Sequence, residues 1–213
     1  MSDDNFTFSP RLIKGALISG PQVIPFQYNP ETLTRTVVAM APAGGGMGST
    51  TEALRLNGPP KETIQIEIHL DATDALAGGD AVAASLGVGP MLAALELLLY
   101  PPSVLAIANE ALALIGIIEV VPPVAPLCLF VFGPQRVLPV RINQLSITEE
   151  LFDPNLNPIQ AKVSLSLQVL TYQDLGFGSV GGALFLGQQM AKEAISLLAT
   201  SPAGALLSKV PGI

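Results

Sequence analysis

The stretch FDPNLNPIQAKVSLSLQVLTYQD, residues 152–174, carries the strongest fold signal in the chain. From Ala161 to Val169, apolar and polar residues alternate without interruption. Because successive side chains of a strand point to opposite faces, this pattern predicts a β-strand with one apolar face. The other face carries short and mostly uncharged polar groups, namely Lys162, Ser164, Ser166 and Gln168. Such a face meets solvent in a monomer, lines a wet passage, or contacts a neighbouring copy of the protein.

A second strand precedes this one, joined to it by a predicted turn. Asp153-Pro154 and Asn157-Pro158 are pairs that start turns. In residues 136–151 the apolar residues change phase near Asn143. A strand accommodates such a change by a bulge or local twist, so we predict a β-bulge at this position.

Further strand patterns lie upstream. Residues 11–28 predict a hairpin that turns at Gly20-Pro21, and residues 34–40 predict a third strand. Residues 62–70 alternate again and predict a half-buried strand. The apolar run at 127–133 predicts a strand buried on both faces.

Two regions have helical patterns. A helical pair is predicted at 91–99 and 103–119, and a C-terminal helix in part of 180–207. The order of elements predicts an α+β fold, with an antiparallel β-barrel or sandwich that carries a helical insert and a C-terminal helix. We expect a β-domain over residues 1–175, with the insert at about 76–123, and an apolar helical tail over 176–213.

The composition suggests an assembly component. The chain has 213 residues, of which 49% are hydrophobic and 13% charged, whereas soluble domains average about 25% charged residues. A surface poor in charge is expected where much of it contacts partners. The net charge of −7 and the lack of a basic cluster argue against nucleic-acid binding. The acidic and polar start, MSDDNFTFSP, does not resemble a signal peptide, so we expect synthesis in the cytoplasm.

No catalytic or metal-binding constellation emerges from the residue pattern. His69 is the single histidine and lies on the polar side of a predicted strand, and Cys128 lies in an apolar run that predicts a buried thiol. Glu149 and Glu150 are adjacent, so a strand points them to opposite faces and they cannot flank one bond. Asp153 begins a calcium-like spacing that prolines interrupt. We therefore predict no enzyme activity, no cofactor and no metal, and keep a small-ligand binder or enzyme in a β-barrel as the weakest hypothesis.

The apolar segment 91–121 raises a membrane alternative. Pro101 and Pro102 divide it, and Glu96, Glu110 and Glu119 place carboxylates in it. A carboxylate in the middle of a bilayer costs several kcal/mol. We expect no stable membrane insertion, and the alternative is a membrane-docked or membrane-active accessory protein that uses this segment.

Two segments resemble a known family. FQYNPETLTRT (26–36) is similar to the N-terminal signature of the tube-like baseplate proteins of contractile injection systems, and SITEELFDPNLNPIQAKVSLSLQVLTYQD (146–174) resembles the second signature. LFVFGPQRVLPVRINQLSI (129–147) fits the segment between them. The resemblance covers roughly residues 10–175, in the order of the family.

The resemblance implies a structural role in a particle. Family members are similar to phage tail-tube proteins, form rings of six copies whose sheets join to line a channel, and connect the spike hub to the inner tube at the baseplate. The implied partners are further copies of the chain, the spike or hub protein, the inner tube protein and other baseplate components. Many members carry a C-terminal LysM module, which we do not expect here because the residues after Asp174 are apolar and rich in glycine and alanine.

Positions within the two signatures are the residues that we expect to contact neighbouring subunits or the channel. They are Phe26, Tyr28, Asn29, Pro30, Glu31, Glu149, Glu150, Phe152, Asp153, Pro154, Asn157, Lys162, Ser164, Ser166 and Gln168.

Overall fold

The computed structural model describes residues 13–40, 56–101, 103, 104, 107 and 126–199. Its strands are β1 (Ala16–Ser19), β2 (Gln22–Pro25), β3 (Leu33–Val38), β4 (Lys61–Asp71), β5 (Cys128–Val131), β6 (Val137–Phe152) and β7 (Pro158–Val169). Its helices are α1 (Thr73–Ala77), α2 (Ala81–Leu86), α3 (Gly89–Glu96), α4 (Tyr172–Leu175) and α5 (Val180–Ala199).

The seven strands form one antiparallel sheet in the order β2-β1-β5-β6-β7-β4-β3, which confirms the α+β class. The expected closure into a barrel is wrong, because β2 and β3 end the sheet and do not pair with each other. A side chain connects the two halves instead. The Gln27 amide, just after β2, donates to the carbonyl of Asp71 at 2.6 Å and accepts from its N–H at 2.9 Å.

The core lies on one face of this sheet. Strand β7 contributes the apolar residues of its alternating pattern, as the sequence predicts, and β4 contributes Ile64, Ile66, Ile68 and Leu70. Leu92 and Leu95 of α3 and Phe185 of α5 join the same cluster. Complete burial of a Leu or Ile side chain is worth about 1.5–3 kcal/mol relative to exposure, so this face is the main source of stability.

The β-bulge is confirmed at Asn143. Ile142 pairs with Leu167, whereas Gln144 pairs with Ser166, so β6 has one residue more than β7 at this point. The extra residue returns the downstream apolar positions of β6 to the core side, where Leu145 and Ile147 pack against the buried cluster.

The β1–β2 hairpin is also confirmed. Ser19 pairs with Gln22, so Gly20 and Pro21 form a two-residue turn. Gly20 has φ +54°, a conformation that glycine adopts without the steric cost of a side chain.

Strand β5 differs from its prediction. Cys128 and Phe130 are buried, while Leu129 and Val131 are only partly buried, so the strand alternates rather than being buried on both faces. The reason is that the core occupies a single face of the sheet.

The C-terminal helix is confirmed as α5. Its buried residues are Gly181, Gly182 and Phe185. Gly182 is required there because a Cβ would overlap the backbone carbonyl of Gly176. The glycine-rich residues 41–50, which predict a flexible loop, lie outside the described residues. So do most of the predicted helix at 103–119 and residues 200–207. No helix in the described part of the chain is both long and apolar enough to span a bilayer.

Candidate assembly surfaces

The face of the sheet opposite the core is polar. Strand pairing places Gln65, Ser166 and Gln144 in one row across β4, β7 and β6, and Glu67, Ser164 and Ser146 in the next row. With Thr32 and Thr34 they line a groove of about 310 Å³. We call this surface the polar face. Among the described residues, Glu67 is the only charged side chain that lines the groove.

Two ion pairs and one hydrogen bond from an arginine involve the charged side chains on this side of the sheet. Lys162 contacts Glu150 at 2.7 Å, and the hydrogen bond and charge of Glu150 raise the pKa of the Lys162 ammonium. His69 lies 3.4 Å from Glu67, with about half of each side chain exposed. Arg141 donates to the Gln168 amide oxygen at 2.9 Å. The structure thus brings the predicted set Lys162, Ser164, Ser166 and Gln168 together on one face.

Glu149 lies on the other side of β6 from Glu150, as the strand geometry predicts. It pairs with Ala161, whereas Glu150 pairs with Gln160 and bonds Lys162. The two carboxylates therefore have separate surroundings.

The turn between β6 and β7 is held by one carboxylate. Asp153 accepts hydrogen bonds from the N–H groups of Asn155 and Asn157 at 2.7 and 2.8 Å, and from the Asn157 amide at 2.8 Å. The hydrogen bonds from Asn157 lower the pKa of Asp153 below its ordinary value. These hydrogen bonds use both carboxylate oxygens of Asp153 and hold residues 153–157 in a turn.

Three apolar side chains project from this turn and define the tip patch, Leu151, Phe152 and Leu156. They are 62%, 50% and 78% exposed. Leu151 and Leu156 also have positive φ angles, 51° and 65°. Leucine rarely adopts this conformation, so the chain maintains an exposed apolar tip at some cost in backbone energy.

The first signature divides into core and surface residues. Phe26 is 1% exposed and packs against Phe130, with ring centroids 6.3 Å apart. The Asn29 side chain accepts from the N–H of Gly15 and donates to the carbonyl of Ile13, both at 2.9 Å. Tyr28 and Glu31 are exposed and Pro30 is partly buried. Phe26 and Asn29 therefore stabilise the fold, while Tyr28 and Glu31 are available at the surface.

The two signatures meet through Asp71, at the end of β4. Its backbone bonds Gln27 of the first signature, and its carboxylate accepts from Gln160 of the second at 2.8 Å. The hydrogen bonds from Thr73 are the main cause of its lowered pKa. Neither Gln27 nor Asp71 was among the predicted site residues.

Sequence reasoning also missed a buried ion cluster. Glu62 is 4% exposed, and Arg35 of β3 contacts it at 2.6 Å while Lys192 of α5 contacts it at 3.4 Å. Burial opposes ionisation of Glu62, but hydrogen bonds and charges from Arg35 and Lys192 outweigh it, so its pKa is lowered. A signal was present, because Glu62 has the same strand parity as the buried Ile64, Ile66 and Ile68.

Both edges of the sheet expose apolar side chains. Val23 of β2 is 60% exposed, and Val37 and Val38 of β3 are 53% and 55% exposed. No described strand pairs with the outer side of either edge. An unpaired edge offers backbone donors and acceptors to another strand.

The second half of α5 extends away from the buried cluster. Met190, Ile195, Leu197 and Leu198 are 48–88% exposed. Together with the tip patch and the two edges, they are the exposed apolar side chains of the described residues that a partner could cover.

Cys128 and the possible metal ligands are the remaining chemistry-bearing groups of the described residues. Burial raises the pKa of the Cys128 thiol to about 11, as expected for an inert buried cysteine. Within the described ranges, no group of three or more His, Cys, Asp or Glu side chains is placed to hold a metal ion. No protein-family model matches the chain, and no curated protein matches it either.

Proposed function

We propose that the protein is a structural subunit that forms a six-membered ring at the baseplate of a contractile injection system and joins the spike hub to the inner tube. The observation that carries the proposal is the open antiparallel sheet, whose two edges are different strands of one chain. Head-to-tail contacts between two different surfaces of one chain close into rings when the rotation allows it. We take this ring to be the baseplate ring of the family because residues 26–36 and 146–174 are similar to the family signatures.

In this proposal the edge of β3 in one copy pairs with the edge of β2 in the next. Val37 and Val38 would lose their exposure, and the backbone groups on the outer side of β3 would gain partners. Pairing all the edges also removes the aggregation hazard that an open sheet presents.

The polar face lines the channel in this arrangement. Its central rows are Ser and Gln side chains with one carboxylate, Glu67, beside the side chains of Thr32 and Thr34, and Lys162 pairs with Glu150 at 2.7 Å. A wall made mostly of short uncharged polar groups stays wetted and does not hold a passing apolar cargo tightly. The tip patch is the proposed contact with the next layer of the particle, either the hub or the tube.

The edge contact is testable by a single charge. Val38→Glu places a carboxylate in the proposed interface, where desolvation of an unpaired charge costs several kcal/mol, and we expect the variant to lose the ring. Val82→Glu on α2 is the matched control, since Val82 is also 55% exposed but lies on a helix. Equal assembly of both variants would contradict pairing through β3.

The membrane alternative rests on segment 91–121, of which only part is described. Leu92 and Leu95 are buried in the core and unavailable to a bilayer. Liposome flotation separates the two functions. The structural role predicts that the protein stays at the bottom of the gradient, and flotation with the vesicles would favour a membrane-docked accessory protein.

A further inference from the structure

A cationic groove lies beside the ion cluster, away from the polar face. It has a volume of about 420 Å³ and is bordered by the turn from Phe132 to Arg136, by the start of β6 and by α5. Arg35, Arg136 and Lys192 line it, and no Asp or Glu of the described residues does so. The whole chain has only ten Lys and Arg residues and a net charge of −7. The groove therefore has the opposite charge to the molecule as a whole.

Most of the positive charge of the groove is not cancelled. Glu62 lies behind the lining, contacts Arg35 and Lys192, and offsets one of the three positive charges, which leaves a net charge of two. Arg136 is partly buried, and within the described part of the chain it forms no ion pair. A guanidinium that is partly withdrawn from water is stabilised by an anionic partner. The groove thus offers its charge to an anion from outside the subunit.

An apolar wall accompanies these charges. Phe132 lines the groove, and the Arg136 guanidinium lies over its ring, 5.8 Å from the centroid. On α5 the lining residues Ala191 and Ile195 are followed at helical spacing by Leu198, so an apolar stripe continues beyond the groove. Ile195 and Leu198 are 48% and 88% exposed. A ligand that fits this surface carries apolar groups as well as negative charge.

The walls are held in place before a ligand binds. The Gln188 side chain of α5 donates to the carbonyl of Gln135 in the turn, and Lys192 of the same helix contacts Glu62 at 3.4 Å. Fixed walls lower the cost of ordering that binding would otherwise carry. From Gln188 to Leu198 the helix runs about 15 Å at about 1.5 Å per residue. At about 3.4 Å per residue, this is the length of about four or five residues of an extended chain.

We propose that the groove binds a short acidic peptide segment of a partner protein, with two carboxylates on the cations and an aromatic or aliphatic side chain on the apolar wall. The number of carboxylates follows from the net charge of two, and the apolar side chain follows from Phe132 and Ile195. Recognition of acidic motifs by arginine clusters is a recurring mode of peptide binding.

A nucleic acid matches the groove less well than a peptide does. It presents phosphates along its whole length, and its binding needs basic residues over a longer surface than this groove has. The inference rests on the groove alone and does not depend on the proposed ring. None of the measurements below requires a ring, so the two proposals can fail separately.

The test uses the full chain and a panel of short synthetic peptides. Each peptide contains one Trp, one Leu and two Asp or Glu residues at varied spacing. Because the protein contains no tryptophan, the emission and anisotropy of the peptide report its binding directly. We expect a blue shift and a rise in anisotropy that saturate as protein is added. Raising the salt from about 0.1 M to about 1 M shortens the Debye length from about 10 to about 3 Å and should weaken binding.

Two altered peptides separate the contributions of charge and apolar contact. In one, Asn and Gln replace the acidic residues of the best peptide, and its Kd should rise at least about tenfold. In the other, Ser replaces Trp and Leu, and this peptide should fail to displace the best peptide from the protein. Inorganic polyphosphate at matched charge should displace it poorly.

A pair of protein variants with equal change of charge locates the contact. Arg136→Glu should raise the Kd of the best peptide at least about tenfold. Arg141→Glu should leave it unchanged, because Arg141 lies on the polar face and bonds Gln168. Circular dichroism checks that both variants are folded, and Arg136→Gln replaces Arg136→Glu if the charge reversal does not fold.

Three results would overturn the proposal. One is that no peptide of the panel binds, and another is an equal response to Arg136→Glu and Arg141→Glu. The third is that polyphosphate displaces the best peptide as well as the unlabelled peptide does, since the groove would then bind polyanions in general. Saturable binding that needs the carboxylates, the apolar side chains and Arg136 supports docking of an acidic segment.

Discussion

Replacing Glu62 by Gln should destabilise the protein by removing the charge that joins three elements. Glu62 bonds Arg35 of the edge strand β3 at 2.6 Å and Lys192 of α5 at 3.4 Å, while itself being 4% exposed. The substitution keeps the size of the side chain and one oxygen acceptor. It removes the negative charge and leaves two cations beside a buried site.

The size of the effect follows from the exposure of the partners. Breaking a fully buried pair costs about 3–5 kcal/mol, and a hydrogen bond to a charged group is worth about 1.5–3 kcal/mol. Here the Arg35 and Lys192 side chains are 31% and 49% exposed, so water partly solvates them after the substitution. We therefore expect a loss of about 2 kcal/mol in the free energy of unfolding, most of it from Arg35.

The effect should depend on pH with a definite sign. The pKa of Glu62 in the folded protein lies below its ordinary value of 4.5. The folded state thus binds its proton less readily than the unfolded state, and the contribution to stability is present above pH 4.5. It is lost as the pH falls through the folded pKa, so the difference between wild type and Glu62→Gln should shrink in that window.

Urea unfolding at several pH values measures both quantities. Glu67→Gln is the control, because Glu67 lies on the same strand but has a side chain that is 52% exposed. It should change the free energy of unfolding by less than about 0.5 kcal/mol. Equal losses for the two variants, or a Glu62→Gln loss that stays constant from about pH 7 to about pH 3, would refute the role of the ion cluster.

Three further predictions follow from single contacts. Gln27→Ala removes two hydrogen bonds to the backbone of Asp71 and should lower the free energy of unfolding by about 2 kcal/mol in urea titrations; no loss would mean that the two halves of the sheet hold without this contact. Leu156 has a φ of 65°, which asparagine adopts more readily than leucine, so Leu156→Asn should raise the stability by up to about 1 kcal/mol in thermal unfolding. If the tip patch is a contact, the same substitution should weaken assembly. Unchanged assembly would contradict that role. Cys128, with its pKa near 11, should react with a thiol reagent only after unfolding, and fast labelling of the native protein would contradict its burial.

The strand pattern of this chain was predictable because local alternation reports burial directly. The apolar positions of 161–169 and 64–70 are buried as their spacing indicates. The bulge at Asn143 was visible because an extra residue changes the phase of apolar positions along one strand. The turn at 153–157 was visible because Asp and Asn before proline start turns by bonding nearby backbone groups.

Closure of the sheet and the ion cluster were not predictable for a shared physical reason. Alternation is the same in an open and a closed sheet, so it does not say whether β2 and β3 pair. The contacts of Gln27 with Asp71 and of Glu62 with Lys192 join residues 44 and 130 positions apart. No local pattern links such distant residues. The one local signal is that Glu62 lies two positions before Ile64 on the same strand, so both side chains point to the buried face.

Phe26 shows the limit of assigning roles from a signature. It stands in the segment expected to contact neighbouring subunits, yet it is 1% exposed and packs on Phe130. A segment can be typical of a family because it builds the core, and burial separates that role from contact with a partner. Tyr28, 47% exposed, remains a surface candidate in the same segment.

The central claim is that copies of this chain assemble through the edges of their sheets. The most direct test is to measure the mass of the purified protein in solution and to image it by negative stain. Both measurements are made on the protein alone and after mixing it with the spike protein that the proposal names as its partner. The account predicts rings of six copies, either alone or templated by the spike protein. A single copy in both samples, with no complex formed with the spike protein, would contradict it.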